Sequence, residues 1–433
     1  MPVVWPELRL GMSHQPLRVA IIGMGGFAQS HHQTLLALEK AGACRVVCTC
    51  DPQPENFEAE QGKWQLAERN VQVYTDYVQM LETHAAQLDV VTVPTPIPLH
   101  APMHRAIIER GLACYLEKPP TLNYAELEAM LDVEARAQWL TQVGFNFIVE
   151  TTRQELKGRI LNGEFGGVQK VGFLGFWPRP TTYFTRASWA GKLMLEGKLI
   201  LDSCVGNAMA HYIHNLHFWC GQEGLFSWAD LTSVEAELYR AHAIENFDTC
   251  FARGICTNGI EVHVAASHAC EGKQYHREWI ECEAAIITYV THNNYHIAWR
   301  NGRTEEAPTD HRGLLLENFQ HYFQYLRGEQ PRPLTGLSDS RPFVHFNNLI
   351  YLAAQHITPV AASSITRSAT PQGDGQWVAI NGIQQALETF ASTGQFPSEQ
   401  GVEWGRAGGA ATFKELPALA STVQQMRQQA QVS

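Results

Sequence analysis

Five groups of residues have types and spacings that can do chemistry. The first is Gly23-Met24-Gly25-Gly26-Phe27-Ala28, a G-x-G-x-x-A run. Gly23 permits a tight turn, Gly25 lets the backbone approach a pyrophosphate, and Ala28 is small enough for a following helix to lie against the preceding strand. Amides at the start of that helix would face the phosphates. The second is Asp51, an acid that closes the apolar run Cys44 to Cys50. Its carboxylate is placed to accept from both ribose hydroxyls of an adenosine and to repel a 2′-phosphate, which favours NAD over NADP. The third is Lys118, within Glu117-Lys118-Pro119-Pro120. A lysine there is a cation whose pKa burial can tune, suited to handling a proton beside a ligand.

The fourth group runs from Asp202 to His217. If Ser203 caps a helix, Asn207, His211, His214 and Phe218 fall within about 60° of one face. His211, one turn beyond Asn207, could then act as general acid or base with Asp202 nearby. His214 would reach the substrate, or both histidines would be packed core residues. The spacing His211-x-x-His214-x-x-His217 drifts by about 120°, too far for three ligands on one ion. No metal is expected, although two of these histidines with an acid would still suffice. The fifth group is Tyr183, Arg186 and Trp189, large polar-aromatic residues in a loop. Aromatic faces stack on the C–H surfaces of a sugar while Arg and Tyr reach hydroxyls, and the same residues would equally suit an interface.

The elements that must position these groups read as alternating strand and helix. Strands are expected at Val19 to Ile22, Cys44 to Cys50, Val71 to Tyr74, Val90 to Val93, Ala113 to Leu116 and Gln142 to Phe147. Helices fall between them, the one through Tyr77 starting at Thr75 as N-cap. Such alternation predicts a doubly wound parallel sheet with ligands outside the carboxyl ends of its strands. Asp51, Thr95-Pro96, His100 and Glu117-Lys118 all fall at those ends. From about Asn146 strand-like runs succeed one another with few helices, which predicts an α+β domain with a large, mostly antiparallel open sheet. Gly313 to Arg327 and Pro342 to His356 read as amphipathic helices, and beyond residue 360 the pattern weakens. The expected division is an extension at 1–16, a dinucleotide-binding Rossmann domain at 17–145, and a substrate-binding and oligomerisation domain at 146–433.

Composition narrows the partners. A chain of 433 residues with 45% hydrophobic and 17% charged residues has enough material for two or three cores. A net charge of −11 speaks against nucleic acid or an anionic membrane. The first sixteen residues lack the pattern of a signal peptide, and Met12 could be the true start. Ten cysteines include no C-x-x-C pair, and Cys44, Cys48 and Cys50 share one strand face, so buried free thiols and a cytoplasmic location are expected.

Taken together, the glycine run, Asp51, Thr95-Pro96-x-x-x-His100 and Glu117-Lys118-Pro119 resemble the Gfo/Idh/MocA family of NAD(P)-dependent oxidoreductases. The likeness continues more weakly through Tyr183-x-x-Arg186-x-x-Trp189 and Leu201-Asp202. It implies a fold of two domains, NAD as cofactor, and hydride transfer to or from a hydroxyl carbon of a sugar, polyol or derivative. It further implies that Lys118 organises proton transfer, that His100 lies close to the nicotinamide unless it is a cap or surface histidine, that Glu117 bonds cofactor ribose or only a neighbouring backbone, and that open sheets pair into homodimers or homotetramers. The family's Asp-x-Gly-x-His segment is altered: Gly206 stands four residues beyond Asp202, and a one-residue insertion would put Asn207 in the histidine's place. That departure leaves two other readings open, a glycosidase using transient oxidation and elimination on bound NAD, and an inactive NAD-sensing regulatory protein.

Overall fold

The structure is a computed structural model that describes residues 15–309 and 313–432. All but the last two residues of the expected extension at 1–16 lie outside that range. The chain forms two compact units, the first built from 15–121, 125–149 and 313–338, the second from 122–124, 150–309 and 339–432.

In the first unit, short runs rich in apolar residues form six strands. These are β1 (Leu17–Ile22), β2 (Cys44–Cys50), β3 (Gln72–Tyr74), β4 (Val90–Val93), β5 (Ala113–Leu116) and β6 (Gln142–Val143), ordered β3-β2-β1-β4-β5-β6 and parallel throughout. That is the dinucleotide-binding order, with its topological switch between β1 and β4. The central β4 and β5 are buried on both faces, and the edge strand β3 is largely exposed. Cys44, Cys48 and Cys50 are buried, and all ten cysteines are free thiols. The helix Tyr77–His84 is capped by Asp76 rather than Thr75, the Asp76 carboxylate accepting from the Gln79 amide at 2.9 Å. An ionised carboxylate serves the helix's positive end better than a hydroxyl. β6 stops at Val143, short of the expected Phe147, because the Val143 amide turns to the carbonyl of Thr335 at 2.7 Å.

The segment 313–338 is the chief difference from the expected division. Its helix Leu314–Leu326 packs on the Rossmann sheet, with Phe319 stacked on Tyr115 at 4.2 Å. The Tyr322 hydroxyl donates to the carbonyls of Cys114 and Leu140, both at 3.0 Å. The amphipathic pattern of this helix is readable in the sequence; which sheet receives its apolar face is not.

The second unit is built on a sheet of ten strands. In chain order they are β7 (Val168–Phe176), β10 (Leu231–Arg240), β11 (Thr249–Cys256), β12 (Glu261–Ser267), β13 (Tyr275–Cys282), β14 (Ala285–Val290), β15 (Asn294–Trp299), β16 (Thr304–Pro308), β17 (Thr358–Pro359) and β20 (Gly409–Thr412). The order is β16-β15-β14-β13-β7-β12-β11-β10-β17 with β20 also on β10, antiparallel except for β7 with β12 and β10 with β17. Two hairpins stand apart, β8 (Met194–Leu195) with β9 (Lys198–Leu199), and β18 (Ile365–Ala369) with β19 (Gln376–Ile380).

One face of this sheet receives the helices Thr151–Leu161 and Ala210–Cys220. Arg153 fastens them with its ion pairs to Glu150 and Glu278, and Glu278 also accepts from the Trp219 indole; the Arg153 and glutamate side chains are fully buried. Lys157 donates to the carbonyls of Phe218 and Gly221, placing its ammonium at the negative end of the helix Ala210–Cys220.

The other face is not open at its centre. Leu174, Phe176, Phe251, Ala265 and Trp279 form one core with Val378, Ile380, Ile383, Leu387, Phe390, Phe396 and Trp404. The weakly patterned segment beyond 360 therefore folds, and its helix Ile383–Thr393 lies on the surface that the family resemblance assigns to pairing between copies. Elsewhere on that face stand charged pairs, Lys170 with Glu261 and Arg253 with Glu235. Part of the face that the resemblance assigns to pairing between copies is therefore covered from within the chain.

Candidate functional site

In the first unit, the chain leaves β1 through Gly23, whose φ of +114° is open without steric cost only to glycine. Gly26 comes next in this turn at φ +56°. The Gly23 amide donates to the Cys50 carbonyl at 2.6 Å, and its carbonyl bonds His32 Nε2 at 3.1 Å. His32 is stacked on Trp64 at 3.9 Å, and burial lowers its pKa to about 3, so a neutral ring holds the turn. Ala28 is buried and begins the helix Ala28–Lys40, while Phe27 is 50% exposed at its N-cap. The amides of Gly25, Gly26 and Phe27 have no acceptor among the described residues. Three consecutive uncommitted donors at a helix N-terminus fit a pyrophosphate.

Asp51 stands beside them at the end of β2. One carboxylate oxygen accepts from the Met24 amide and the other from the Gln53 amide, each at 3.0 Å. The carboxylate is thereby held in place and keeps a further lone pair on each oxygen.

The loop after β4 and the turn after β5 are joined by His100. Its Nδ1 lies 2.9 Å from the Pro119 carbonyl and its Nε2 2.8 Å from the Thr95 carbonyl, and the ring is wholly buried. The expectation that His100 contacts a cofactor is corrected: both ring nitrogens are spent on main-chain carbonyls. Burial pulls its pKa down, against those two carbonyls, which favour a charged ring. Thr95 and Pro96 stay at the surface of this loop, the Thr95 hydroxyl reaching the Met103 sulfur at 3.5 Å.

Glu117 is also turned inward. One oxygen meets His31 Nε2 at 2.9 Å, whose Nδ1 meets the Thr92 hydroxyl at 2.7 Å. The other accepts from the Lys118 amide at 3.1 Å. A Cβ at Gly144 would come within 2.7 Å of Glu117, so the glycine makes room for it. Of the two readings of Glu117, the contact with a neighbouring backbone is present, and an internal chain, Thr92–His31–Glu117, holds its other oxygen. Sequence reasoning missed His31 and His32; two histidines on the buried side of the first helix turn were the available signal. Lys118, partly exposed at the end of β5, precedes a cis bond to Pro119.

In the second unit the structure brings together Tyr183, Arg186, Trp189, Asp202 and Asn207. The Arg186 guanidinium lies 3.8 Å from the Tyr183 ring and 4.8 Å from that of Trp189, and donates to the Tyr183 carbonyl at 2.6 Å. Asp202 accepts from the Gly191 amide at 2.7 Å and from the Asn207 side chain at 2.8 Å, with Arg186 at 3.5 Å. Burial still raises the Asp202 pKa above the usual carboxylate range, the Gly191 amide, Arg186 and Asn207 opposing it.

Ser203 does act as a cap, its hydroxyl accepting from the Gly206 amide at 3.0 Å. The element it caps, however, is one π-helical turn, Cys204–Ala208, which precedes the α-helix Ala210–Cys220. A π turn absorbs one residue more than an α turn. His211 is partly exposed near the start of the α-helix. His214 is wholly buried against Trp228, at 5.4 Å between rings, and burial drives its pKa far down. The substrate contact expected of His214 is therefore corrected to a packing role. His217 is likewise buried, Nδ1 facing the Ala229 carbonyl at 2.9 Å. Among the described residues no three His, Cys, Asp or Glu side chains converge as a metal site would need, and no helix is long and apolar enough to cross a membrane.

Residues 17–145 match the oxidoreductase family with an NAD-binding Rossmann fold, Gfo/Idh/MocA. The match covers the sheet of the first unit and ends with β6. Inositol 2-dehydrogenase 4 of Saccharopolyspora erythraea is 32% identical over 156 residues, 36% of this chain and 44% of that protein. The D-glucoside 3-dehydrogenase of Escherichia coli is 28% identical over 163 residues, 37% of this chain and 44% of that protein. The chain thus spans less than half the length of these curated relatives. The fold extends further: the WlbA dehydrogenase of Bordetella pertussis, solved with NADH and UDP-GlcNAcA, superposes with a TM-score of 0.63 at 21% identity, covering 78% of this chain and 97% of that one.

Proposed function

We propose that the protein is an NAD-dependent dehydrogenase that oxidises a CH–OH group of a sugar, polyol or derivative. The observation that carries this reading is Asp51, its carboxylate locked by the Met24 and Gln53 amides beside the three uncommitted amides of residues 25–27. That set would hold the ribose and pyrophosphate of a dinucleotide, and the fixed negative charge favours NAD over NADP. NAD, when bound, supplies the hydride acceptor.

The chain's own residues supply the rest. Lys118, at the carboxyl end of β5, is assigned to the hydroxyl proton and to the charge that develops on the oxygen. Asp202, its pKa raised by burial and its orientation fixed by Gly191 and Asn207, is assigned to proton exchange in the second unit, with His211 one turn beyond Asn207. Arg186, Tyr183 and Trp189 offer the mixture of flat apolar faces and donors that a sugar ring requires. Ten unbridged cysteines support a cytoplasmic location. A screen of sugars and polyols that tracks NADH absorbance tests the reading. Turnover of at least one with NAD supports it, and tight NAD binding with no turnover of any would overturn it.

A further inference from the structure

Glu245 stands in the loop between β10 and β11 and closes on one short segment, residues 191–193. Its carboxylate meets the Lys192 ammonium at 3.0 Å and accepts from the Leu193 amide at 3.3 Å. Its own amide and that of Asn246 both donate to the Gly191 carbonyl, at 3.1 and 3.0 Å. The Glu245 side chain is 15% exposed, and a second cation, Arg427 of the helix Leu419–Val432, lies 3.7 Å from it. Arg240 donates to the Glu245 carbonyl at 3.2 Å and ties the loop to the end of β10.

The clasped segment is the one that holds Asp202. The Gly191 amide donates to the Asp202 carboxylate at 2.7 Å, and the Asp202 amide donates to the Lys192 carbonyl at 3.2 Å. Asn246 adds a contact from the same loop, its side-chain amide donating to the Asp202 carbonyl at 3.0 Å and to the Tyr351 hydroxyl at 2.8 Å. Gly191 sits at φ +66°, and a Cβ there would come within 2.8 Å of Ile244, so the close approach of loop and segment requires a glycine. The charged and titratable groups facing Asp202 are Arg186 and the phenols of Tyr183 and Tyr351. Glu245 makes no bond to it. As a second anion it would disfavour an ionised Asp202 by direct charge, whereas the amide that its clasp delivers favours one.

We propose that Glu245 is a positioning residue for Asp202, acting through residues 191–193 to keep the Gly191 amide on the Asp202 carboxylate. This rests on the reading of Asp202 as the group that exchanges the proton, and the experiment separates the two.

The opposite signs of charge and clasp make the test. The full-length protein, carbon-13 labelled at its aspartate carboxyls, is titrated by NMR, the Asp202 signal being assigned by its loss in Asp202→Asn. Turnover and the KM for NAD are measured in parallel on a substrate found by NADH formation. Glu245→Ala is expected to raise the pH at which Asp202 titrates, because the Gly191 amide is released. Turnover near neutrality should fall between about ten- and a hundredfold with the KM for NAD unchanged. Glu245→Gln, which keeps an acceptor for the Leu193 amide, should recover most of both effects. Melting midpoints control for folding, and where Glu245→Ala fails to fold, Glu245→Ser, which shortens the side chain in the same way, is read by the same criteria. An Asp202 titration that moves to lower pH, as removal of a repelling charge would cause, or that does not move, overturns the proposal. A titration that moves to higher pH with turnover untouched supports the positioning role and counts against the proton-exchange reading of Asp202 alone.

Discussion

Asn207 donates its side-chain amide to the Asp202 carboxylate at 2.8 Å across a single π turn. The turn thus puts a neutral donor on the acid. Asn207→Ala deletes one of the interactions that hold the Asp202 pKa down, so that pKa should rise further. The acid limb of the rate profile should then move to higher pH, with turnover near neutrality reduced by about tenfold. An unshifted limb would show that Asp202 is not the titrating group. His211→Ala measured alongside should instead flatten any inflection between about pH 6 and 7.5.

Lys118→Ala should lower turnover by about 10² or more while leaving NAD affinity and the unfolding midpoint close to those of the unaltered protein. Steady-state rates and nucleotide titration check it together. Near-normal turnover would reduce Lys118 to a structural part of the turn.

Asp51 should set the choice of nucleotide. NAD is expected to bind at least about tenfold more tightly than NADP, and Asp51→Ser should narrow or reverse the gap. Titrating both nucleotides decides it, and tighter NADP binding by the unaltered protein would remove the assignment.

The Thr92–His31–Glu117 chain predicts a stability effect. His31→Phe keeps a ring among Tyr115 and Phe319 but leaves the Thr92 hydroxyl and the Glu117 carboxylate buried without this partner. A loss of about 1–3 kcal/mol is expected, read as a lower denaturation midpoint of the first unit. An unchanged midpoint would mean that water replaces the imidazole.

With its apolar face already occupied, the sheet of the second unit should not pair between copies. Light scattering on the purified protein should give the mass of one chain, 48.5 kDa, across a wide concentration range. A stable dimer that Ile286→Lys or Ile255→Lys, on exposed positions of that sheet, disrupts would overturn this expectation.

The sequence displays the first unit's sheet because four of its strands are short, mostly apolar runs followed within two residues by one with chemistry, Gly23, Asp51, Thr95 or Lys118. The Asp202 region was legible in its parts, acid, cap and altered spacing, but not in its geometry, since a π turn has no composition of its own. His100 and Glu117 each allow two readings in the sequence for one reason. A polar residue at a strand's carboxyl end looks the same in sequence whether it faces a ligand or bonds a neighbouring carbonyl or histidine. Glu245 escaped notice because Lys192, with which it pairs, stands 53 residues earlier. The helix Leu314–Leu326 shows its apolar face plainly, yet nothing local says which of two cores receives it.

The sheet of the second unit also fixes an order of events during synthesis. β16 ends at Pro308, and the helix that shields Leu174, Phe176 and Phe251 starts at Ile383. At about 5–20 residues per second, the roughly 75 intervening residues take about 4–15 s to emerge. For that interval the nascent chain carries eight of the sheet's ten strands with a greasy side and no cover for it. A holdase chaperone arriving at the ribosome, or slow codons avoided between 309 and 383, would then matter more to yield than the final stability of the folded molecule.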